Sequence, residues 1–118
     1  MNAYEIPNLR FSLPAGSAIA RNRFVSVDAN GNGIQATAST QIIGASMNLI
    51  TAEENTNGGH IVEIADGIVM VEAAGAITSG AVVYSDADGK AASTGTIVAG
   101  VAITAATGAG SLLAVKCN

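Results

Sequence analysis

A short turn sequence, Asp-Ala-Asx-Gly, occurs once in each half of the chain and constrains its fold more than any other feature. Residues 76–89 align with residues 18–31 without a gap, so that DADG falls opposite DANG. Two later pairs of segments also resemble each other: IIGA at 42–45 with VAGV at 98–101, and HIVEI at 60–64 with SLLAV at 111–115. The chain is therefore predicted to contain two copies of one structural unit.

Each predicted unit consists of short strands joined by turns. Its order is a strand, the Asp-x-Asx-Gly turn, a short strand, a strand centred on Gly, a polar turn and a closing strand. Residues 18–66 and 76–116 form the two units, within a single domain over residues 18–118. We expect an all-β fold, a small β-barrel or β-tulip-like domain, in which the units pair their open edges and so remove exposed strand edges.

The composition agrees with strands and suggests a covered surface. The chain is 49% hydrophobic with only four aromatic residues and 14 Gly, so most apolar side chains are small or β-branched and favour strands with tight turns. Charged residues make up 12%, about half the usual share. Part of the uncharged surface is therefore expected to be covered by copies of the chain or by a partner.

Two segments predict tight hairpins, and one allows a little helix. Residues 28–33, DANGNG, separate two strand-like runs. Asp66-Gly67 lies between HIVEIA and IVMVEA and predicts a two-residue hairpin. Residues 46–54 allow at most one short helical turn, because Asn48, Thr51 and the following glycines weaken a helix.

Residues 1–17 differ from the rest of the chain and predict an extended N-terminal arm. Pro7 and Pro14 disfavour a helix and a central strand. The arm either folds back on its own barrel or docks on a neighbouring subunit or an underlying shell. Its candidate partner-binding residues are Tyr4, Ile6, Leu9, Arg10, Phe11 and Leu13.

Charge and hydropathy exclude several classes of partner. The net charge is −4, which argues against direct nucleic-acid binding. Residues 1–27 carry three arginines against one acid, so the arm and the acidic body are expected to face different surroundings. No apolar run is long enough for a membrane span, and MNAYEIPNLR lacks the pattern of a signal peptide. We expect synthesis in a cytoplasm and no membrane partner.

No pattern predicts catalysis, a metal or a cofactor. His60 is the only histidine, and the single cysteine, Cys117, lies far from it in sequence, so no zinc-site spacing exists. Glu53 and Glu54 are adjacent in a polar turn and are expected to be a solvated tip. We therefore predict that the chain is not an enzyme.

Two loops that could suggest a ligand are better interpreted as turns. Residues 28–33 match the first six positions of a calcium-binding EF-hand loop, but Ser39 occupies the position of the bidentate Glu. Lys90 at a hairpin tip is similar to the modified lysine of lipoyl- or biotin-carrying domains. Its context, Gly-Lys-Ala, does not match their Asp-Lys-Ala or Met-Lys-Met. Asp and Gly are the residues that such turns need.

Residues 18–116 resemble the small capsid cement, or decoration, proteins of tailed phages. Three phrases in the expected order carry the resemblance: GIVMVEAAGAITSG at 67–80, ITSGAVVYSDADGK at 77–90 and IVAGVAITAATG at 97–108. The first half departs most, because Arg21-Asn22 stands where the second half has Ser79-Gly80.

The resemblance implies a structural virion protein on the capsid exterior. Such proteins bind the outer surface of the phage head, contact the major capsid protein, commonly as homotrimers, and stabilise the expanded shell. The alternative is another β-structural virion or surface module, such as a fibre or tail component, for which we would expect more repeats and an elongated trimer.

Overall fold

The computed structural model describes residues 9–117 of the chain and contains two five-stranded antiparallel sheets. Unit 1 forms sheet 1, with strand order β1-β5-β4-β2-β3. Its elements are β1 Arg10–Pro14, β2 Phe24–Val27, β3 Gly33–Gln35, β4 Gly44–Ser46, α1 Ala52–Asn57 and β5 Ile61–Ala65. Unit 2 forms sheet 2, with strand order β6-β10-β9-β7-β8. Its elements are β6 Ile68–Glu72, β7 Val82–Ser85, β8 Ala91–Ala92, β9 Val98–Ala102 and β10 Leu112–Cys117.

The two units share one topology and one register, which confirms the predicted all-β fold built from two similar units. Phe24 is paired with Ala45 in sheet 1, and Val82 is paired with Val101 at the same place in sheet 2. Isolated bridges also recur: Ile19 pairs with Ile50, and Ile77 pairs with Ala106. The repeat includes one more strand than the sequence predicted, because β1 and β6 open the two units.

The predicted closed barrel does not form. The units do not pair their edges with each other, and each sheet remains separate. In each sheet, one parallel bridge brings the two edges together. It joins Ala15 to Gly33 in unit 1 and Ala73 to Ala91 in unit 2. No strand pairing continues from either bridge within residues 9–117, because β3 and β8 are only three and two residues long.

Part of the predicted N-terminal arm belongs to sheet 1. Residues 10–14 form β1, which pairs antiparallel with β5, so that Phe11 lies opposite Ile64 and Leu13 lies opposite Val62. Residues 10–14 of the predicted arm thus pack on the chain's own sheet, as an edge strand. Period-two alternation explains the strand, since Phe11 and Leu13 turn inward while their neighbours are exposed. Residues 1–8 lie outside the described part of the chain.

The Asp-x-Asx-Gly turns fold identically in the two units. The Asp28 carboxylate accepts hydrogen bonds from the backbone N–H groups of Asn30 and Asn32, each at 2.9 Å. The Asp86 carboxylate accepts from those of Asp88 and Lys90, each at 2.8 Å. The hydrogen bonds that Asp28 accepts lower the pKa of its carboxyl group, and the bond from the backbone N–H of Asn32 contributes most. The predicted hairpin across residues 28–33 is thus present, as β2 pairs with β3.

The hairpin predicted at Asp66-Gly67 is wrong. β5 already has a strand on each side, β1 and β4, and β6 pairs with β10 in the other sheet. Asp66-Gly67 instead links the two units. The backbone N–H of Asp66 donates to Leu9 O at 2.8 Å, and that of Cys117 donates to Gly67 O at 2.8 Å, so the link is tied to both sheets.

The only helix among the described residues, α1, is short and capped by its own sequence. Thr51 and Glu54 form a capping box, in which each side chain accepts a hydrogen bond from the backbone of the other residue. The helix begins at Ala52, inside the predicted segment 46–54, and continues beyond it to Asn57. It fills the polar connection between β4 and β5 and buries none of its residues.

Candidate partner-binding surface

The outer face of sheet 1 forms the contact with unit 2. Phe24 and Ala45 are buried in one hydrophobic cluster with the inward residues of unit 2, such as Val83 and Leu113. The inner face of sheet 1 forms a separate cluster around Val62 and its neighbours. Strands β2 and β4 of sheet 1 are therefore covered on both faces, so that Phe24–Ser26 and Gly44–Ser46 are buried without alternation.

Polar contacts join the two units beside this apolar junction. The backbone N–H of Phe24 donates to Gly89 O at 2.8 Å, and that of Glu72 donates to Asn22 O at 2.9 Å. Glu72 forms ion pairs with Arg23 at 3.3 Å and with Lys90 at 3.5 Å. Because Lys90 is held by this ion pair, it is not the free hairpin tip that a carrier domain would present.

The outer face of sheet 2 is apolar and exposed. Five large hydrophobic side chains on it are open to solvent: Met70, Val82, Val98, Val101 and Leu112. Two of them are direct neighbours across strands, since Val82 lies opposite Val101, and Met70 lies opposite the small apolar residue Ala114. Lys116 stands among them, opposite Ile68 and Val101. An extended apolar sheet face of this kind is typical of a protein-binding surface.

A groove of about 390 Å³ runs between sheet 1 and the edge strand β6. Arg10 and Arg21 line it together with the apolar side chains of Met47, Ile68 and Met70. The Arg10 guanidinium lies 3.3 Å from the Met47 sulfur. The groove thus combines two exposed cations with apolar walls on a chain whose net charge is −4.

The candidate arm residues divide into two groups in the structure. Phe11 and Leu13 are half-buried and pack against the core of their own sheet. Leu9 is 61% exposed, and Arg10 is also exposed beside the groove. Tyr4 and Ile6 lie outside the described residues. Among the candidate arm residues that the structure describes, Leu9 and Arg10 are therefore the exposed ones.

The titratable residues considered from sequence have local structural roles. His60 Nδ1 lies 3.7 Å from a Glu54 carboxylate oxygen, and the capping bond from Thr51, with a smaller contribution from His60, lowers the pKa of Glu54. Cys117 is buried, which raises its pKa to about 12. Within residues 9–117, no group of three or more His, Cys, Asp or Glu side chains could hold a metal ion.

Sequence reasoning missed the exposed face of sheet 2. Its strands carry apolar residues on both faces, and in a sequence this pattern suggests that both faces of the sheet are buried. The aligned repeat held a partial signal, because Val82 and Val101 stand where unit 1 has Phe24 and Ala45. This correspondence identifies an interface only when it is known that another part of the protein buries Phe24 and Ala45.

A family model for phage cement proteins matches residues 7–117. The chain belongs to this family. The membership confirms the predicted resemblance and the predicted role of a capsid-binding decoration protein. It also assigns this cement protein to the phage capsid and so to the virion, as a structural protein.

The cement protein also has a similar fold to a solved phage structure. The crystal structure of the head fiber gp8.5 N base in bacteriophage phi29 matches with a TM-score of 0.71 and 18% sequence identity, over 94% of each chain. At this identity the match shows a shared fold alone. No curated protein sequence matches the chain. No helix among the described residues is long and apolar enough to cross a bilayer.

Proposed function

We propose that this cement protein binds the outer face of the phage head as a homotrimer that contacts the major capsid protein. The observation that carries this proposal is the exposed apolar face of sheet 2 on a chain with only 12% charged residues. Such a face is costly to leave in water, and binding to other protein surfaces covers it. Many copies on one shell turn a modest contact into strong reinforcement, because avidity multiplies their effect.

The N-terminal segment supplies the contact with the capsid in this proposal. Leu9 and Arg10 are exposed where the described chain begins, beside the groove that contains Arg21. In the sequence, Tyr4 and Ile6 precede Leu9 and add two further apolar side chains to the proposed contact. Phe11 and Leu13 anchor it, since both pack into the core of sheet 1. A segment held at one end by a strand can add its free part to a neighbouring protein.

The role is structural and not catalytic in this proposal, with no direct nucleic-acid or membrane partner and with synthesis in the host cytoplasm. Two observations support it. The groups that could act as acid, base or carrier are engaged locally, His60 with Glu54 and Lys90 with Glu72. The net charge of −4 disfavours contact with phosphate backbones.

The fibre or tail alternative is favoured only by the similar fold of a head fiber base. That protein is part of a phage head fiber, which also agrees with a location on the head surface. A head location therefore remains the better proposal for this chain.

Sedimentation with isolated heads tests the proposal. Purified protein is mixed with expanded heads and with unexpanded proheads, and bound protein is measured in the pellet. We expect saturable binding to expanded heads and weaker binding after deletion of residues 2–8. That truncation stops before β1 and so spares the core contacts of Phe11 and Leu13. Binding to neither particle would overturn the proposal, and full binding by the truncated chain would overturn the role of the segment.

A further inference from the structure

The contact between the two units is one-sided. Unit 1 presents the outer face of sheet 1 to unit 2. Five of its residues lie in, or pack against, the hydrophobic cluster that spans the junction: Phe24, Ala36, Ile42, Ala45 and Ala65. Unit 2 has the same topology and register, so each of these positions has a counterpart in sheet 2.

All five counterparts are exposed. They are Val82, Thr94, Val98, Val101 and Lys116, here called the docking face. Phe24 is 0% exposed and Val82 is 44% exposed, while Ala45 is 2% exposed and Val101 is 39% exposed. The surface that unit 1 uses to bind another unit is thus repeated on unit 2 and left uncovered.

The Asp-x-Asx-Gly turn of unit 2, which receives the backbone of unit 1, is also repeated in unit 1 and is uncovered there. Gly89 is buried at the junction, where an added Cβ would lie 3.1 Å from Phe24 O. Its counterpart Gly31 is exposed, and an added Cβ there would meet no described atom within 4 Å. Val27, next to this turn, is 44% exposed and adds an apolar side chain to the uncovered surface.

This pattern excludes a two-fold relation between the units. A two-fold axis would repeat the bond from Phe24 N–H to Gly89 O as a bond from Val82 N–H to Gly31 O. Gly31 is instead open, so the contact within residues 9–117 is head-to-tail. A head-to-tail contact leaves one free surface at each end of the pair, and each free surface corresponds in position to one half of the contact.

We propose that the docking face of one copy binds the acceptor edge of a second copy, formed by Pro14, Val27, Asn30 and Gly31. The contact repeats between chains the step that joins unit 1 to unit 2 within each chain. A rotation that closes after three chains gives a ring in which the two kinds of unit alternate. This inference rests on the homotrimer of the proposed function and assigns the surfaces that form it.

The contact between chains is weaker than the contact within the chain. The ion pair of Arg23 with Glu72 has no counterpart, because Ala81 and Pro14 occupy those two positions. Pro14 also lacks the N–H that Glu72 donates to Asn22 O. We therefore expect association that is reversible at low protein concentration and that strengthens where copies are concentrated on a head.

Cross-linking between two single-cysteine additions tests the proposal. One full-length chain carries Ala81→Cys and the other carries Pro14→Cys, at the positions that correspond to Arg23 and Glu72. The mixed chains are treated with a short bis-maleimide, both free at high concentration and bound to heads. We expect cross-links between Ala81→Cys and Pro14→Cys chains only. Unmodified protein is the control for Cys117, which is buried.

Other cross-linking results contradict the proposal. Cross-links between two Ala81→Cys chains would show a two-fold interface, and no cross-link in either condition would show that these surfaces do not meet. Sedimentation with heads is measured on the same samples. Head binding without cross-links would overturn this inference and leave the proposed function standing. If the unmodified protein does not bind heads at all, the proposed function itself is wrong.

A charge on the docking face gives a second readout. Val101→Asp is expected to weaken self-association at least tenfold. Leu112→Asp is the matched control, because Leu112 and its counterpart Ile61 are both exposed and lie outside the junction. Ala81→Arg combined with Pro14→Glu should tighten association about fivefold over either single change, by adding an ion pair of about 1 kcal/mol. Equal effects of Val101→Asp and Leu112→Asp would contradict the assignment.

Discussion

Arg23 and Glu72 lie in different β-units and join them by an ion pair of 3.3 Å. The Arg23 guanidinium also donates to Asp88 O at 3.1 Å. The contact lies beside Phe24, so the ion pair sits at the edge of an apolar junction where its side chains are mostly shielded from solvent.

We expect Arg23→Ala to lower the free energy of unfolding by about 1–3 kcal/mol, because it removes a charged donor and leaves Asp88 O without that bond. Urea denaturation measures the change. Arg21→Ala is the control, since Arg21 is exposed, and should change stability by less than about 0.5 kcal/mol. Equal effects of the two substitutions would contradict a structural role for the ion pair.

Asn22 and Gly80 occupy the same position and share a left-handed backbone, with φ of 59° and 85°. Asn tolerates this conformation better than most residues, and β-branched residues tolerate it poorly. Asn22→Gly should therefore leave the thermal midpoint unchanged or slightly raised, whereas Asn22→Val should cost about 1–2 kcal/mol. A neutral Asn22→Val would show that the backbone relaxes out of this conformation.

Gly100 has no room for a side chain, because a Cβ there would collide with the carbonyl oxygen of Lys116 on the neighbouring strand. Gly44 has the same relation to Ala65 O in unit 1. We expect Gly100→Ala to destabilise the fold by about 1–3 kcal/mol or more, as forced overpacking does. Gly75→Ala is the matched control, since no described atom lies within 4 Å of its added Cβ. Similar unfolding midpoints for both variants would contradict the close approach.

Because the Cys117 thiol is buried, we expect the free energy of unfolding to fall at alkaline pH. Its thiol pKa rises from the usual 9.0 to about 12, chiefly because of burial and further because of Asp66. Above pH 9 the unfolded chain releases this proton while the folded chain keeps it, so folding stability falls with pH up to about 12, by roughly 1.4 kcal/mol per pH unit at most. Denaturation of the unmodified protein and of Cys117→Ala between pH 8 and pH 10.5 isolates this contribution. Parallel curves for the two proteins would contradict it.

The repeated features of the chain could be predicted from sequence because local chemistry determines them. Asp and Gly form the same turn twice because a carboxylate accepts two backbone N–H groups there. Gly44 and Gly100 mark the same crowded strand crossing in both units. The prediction of two similar units therefore followed from turn residues, whose roles are local, and from glycines that recur at equivalent positions.

Features that depend on distant partners could not be predicted in the same way. Asp66-Gly67 has the composition of a hairpin turn, but both sides of β5 are already taken by other strands, so the chain passes to the second sheet. The strand at residues 10–14 contains Pro14 and is recognisable only through its pairing with β5. The docking face likewise emerges only when Phe24 is seen to be buried and Val82 exposed.

Cryo-electron microscopy of expanded heads incubated with the purified protein tests the central claim most directly. The account predicts added density on the outer face of the shell, at symmetry-related positions, into which copies of the two-unit fold can be placed with the N-terminal end of β1 toward the capsid. Heads that remain bare at saturating protein, or density confined to the tail, would contradict it.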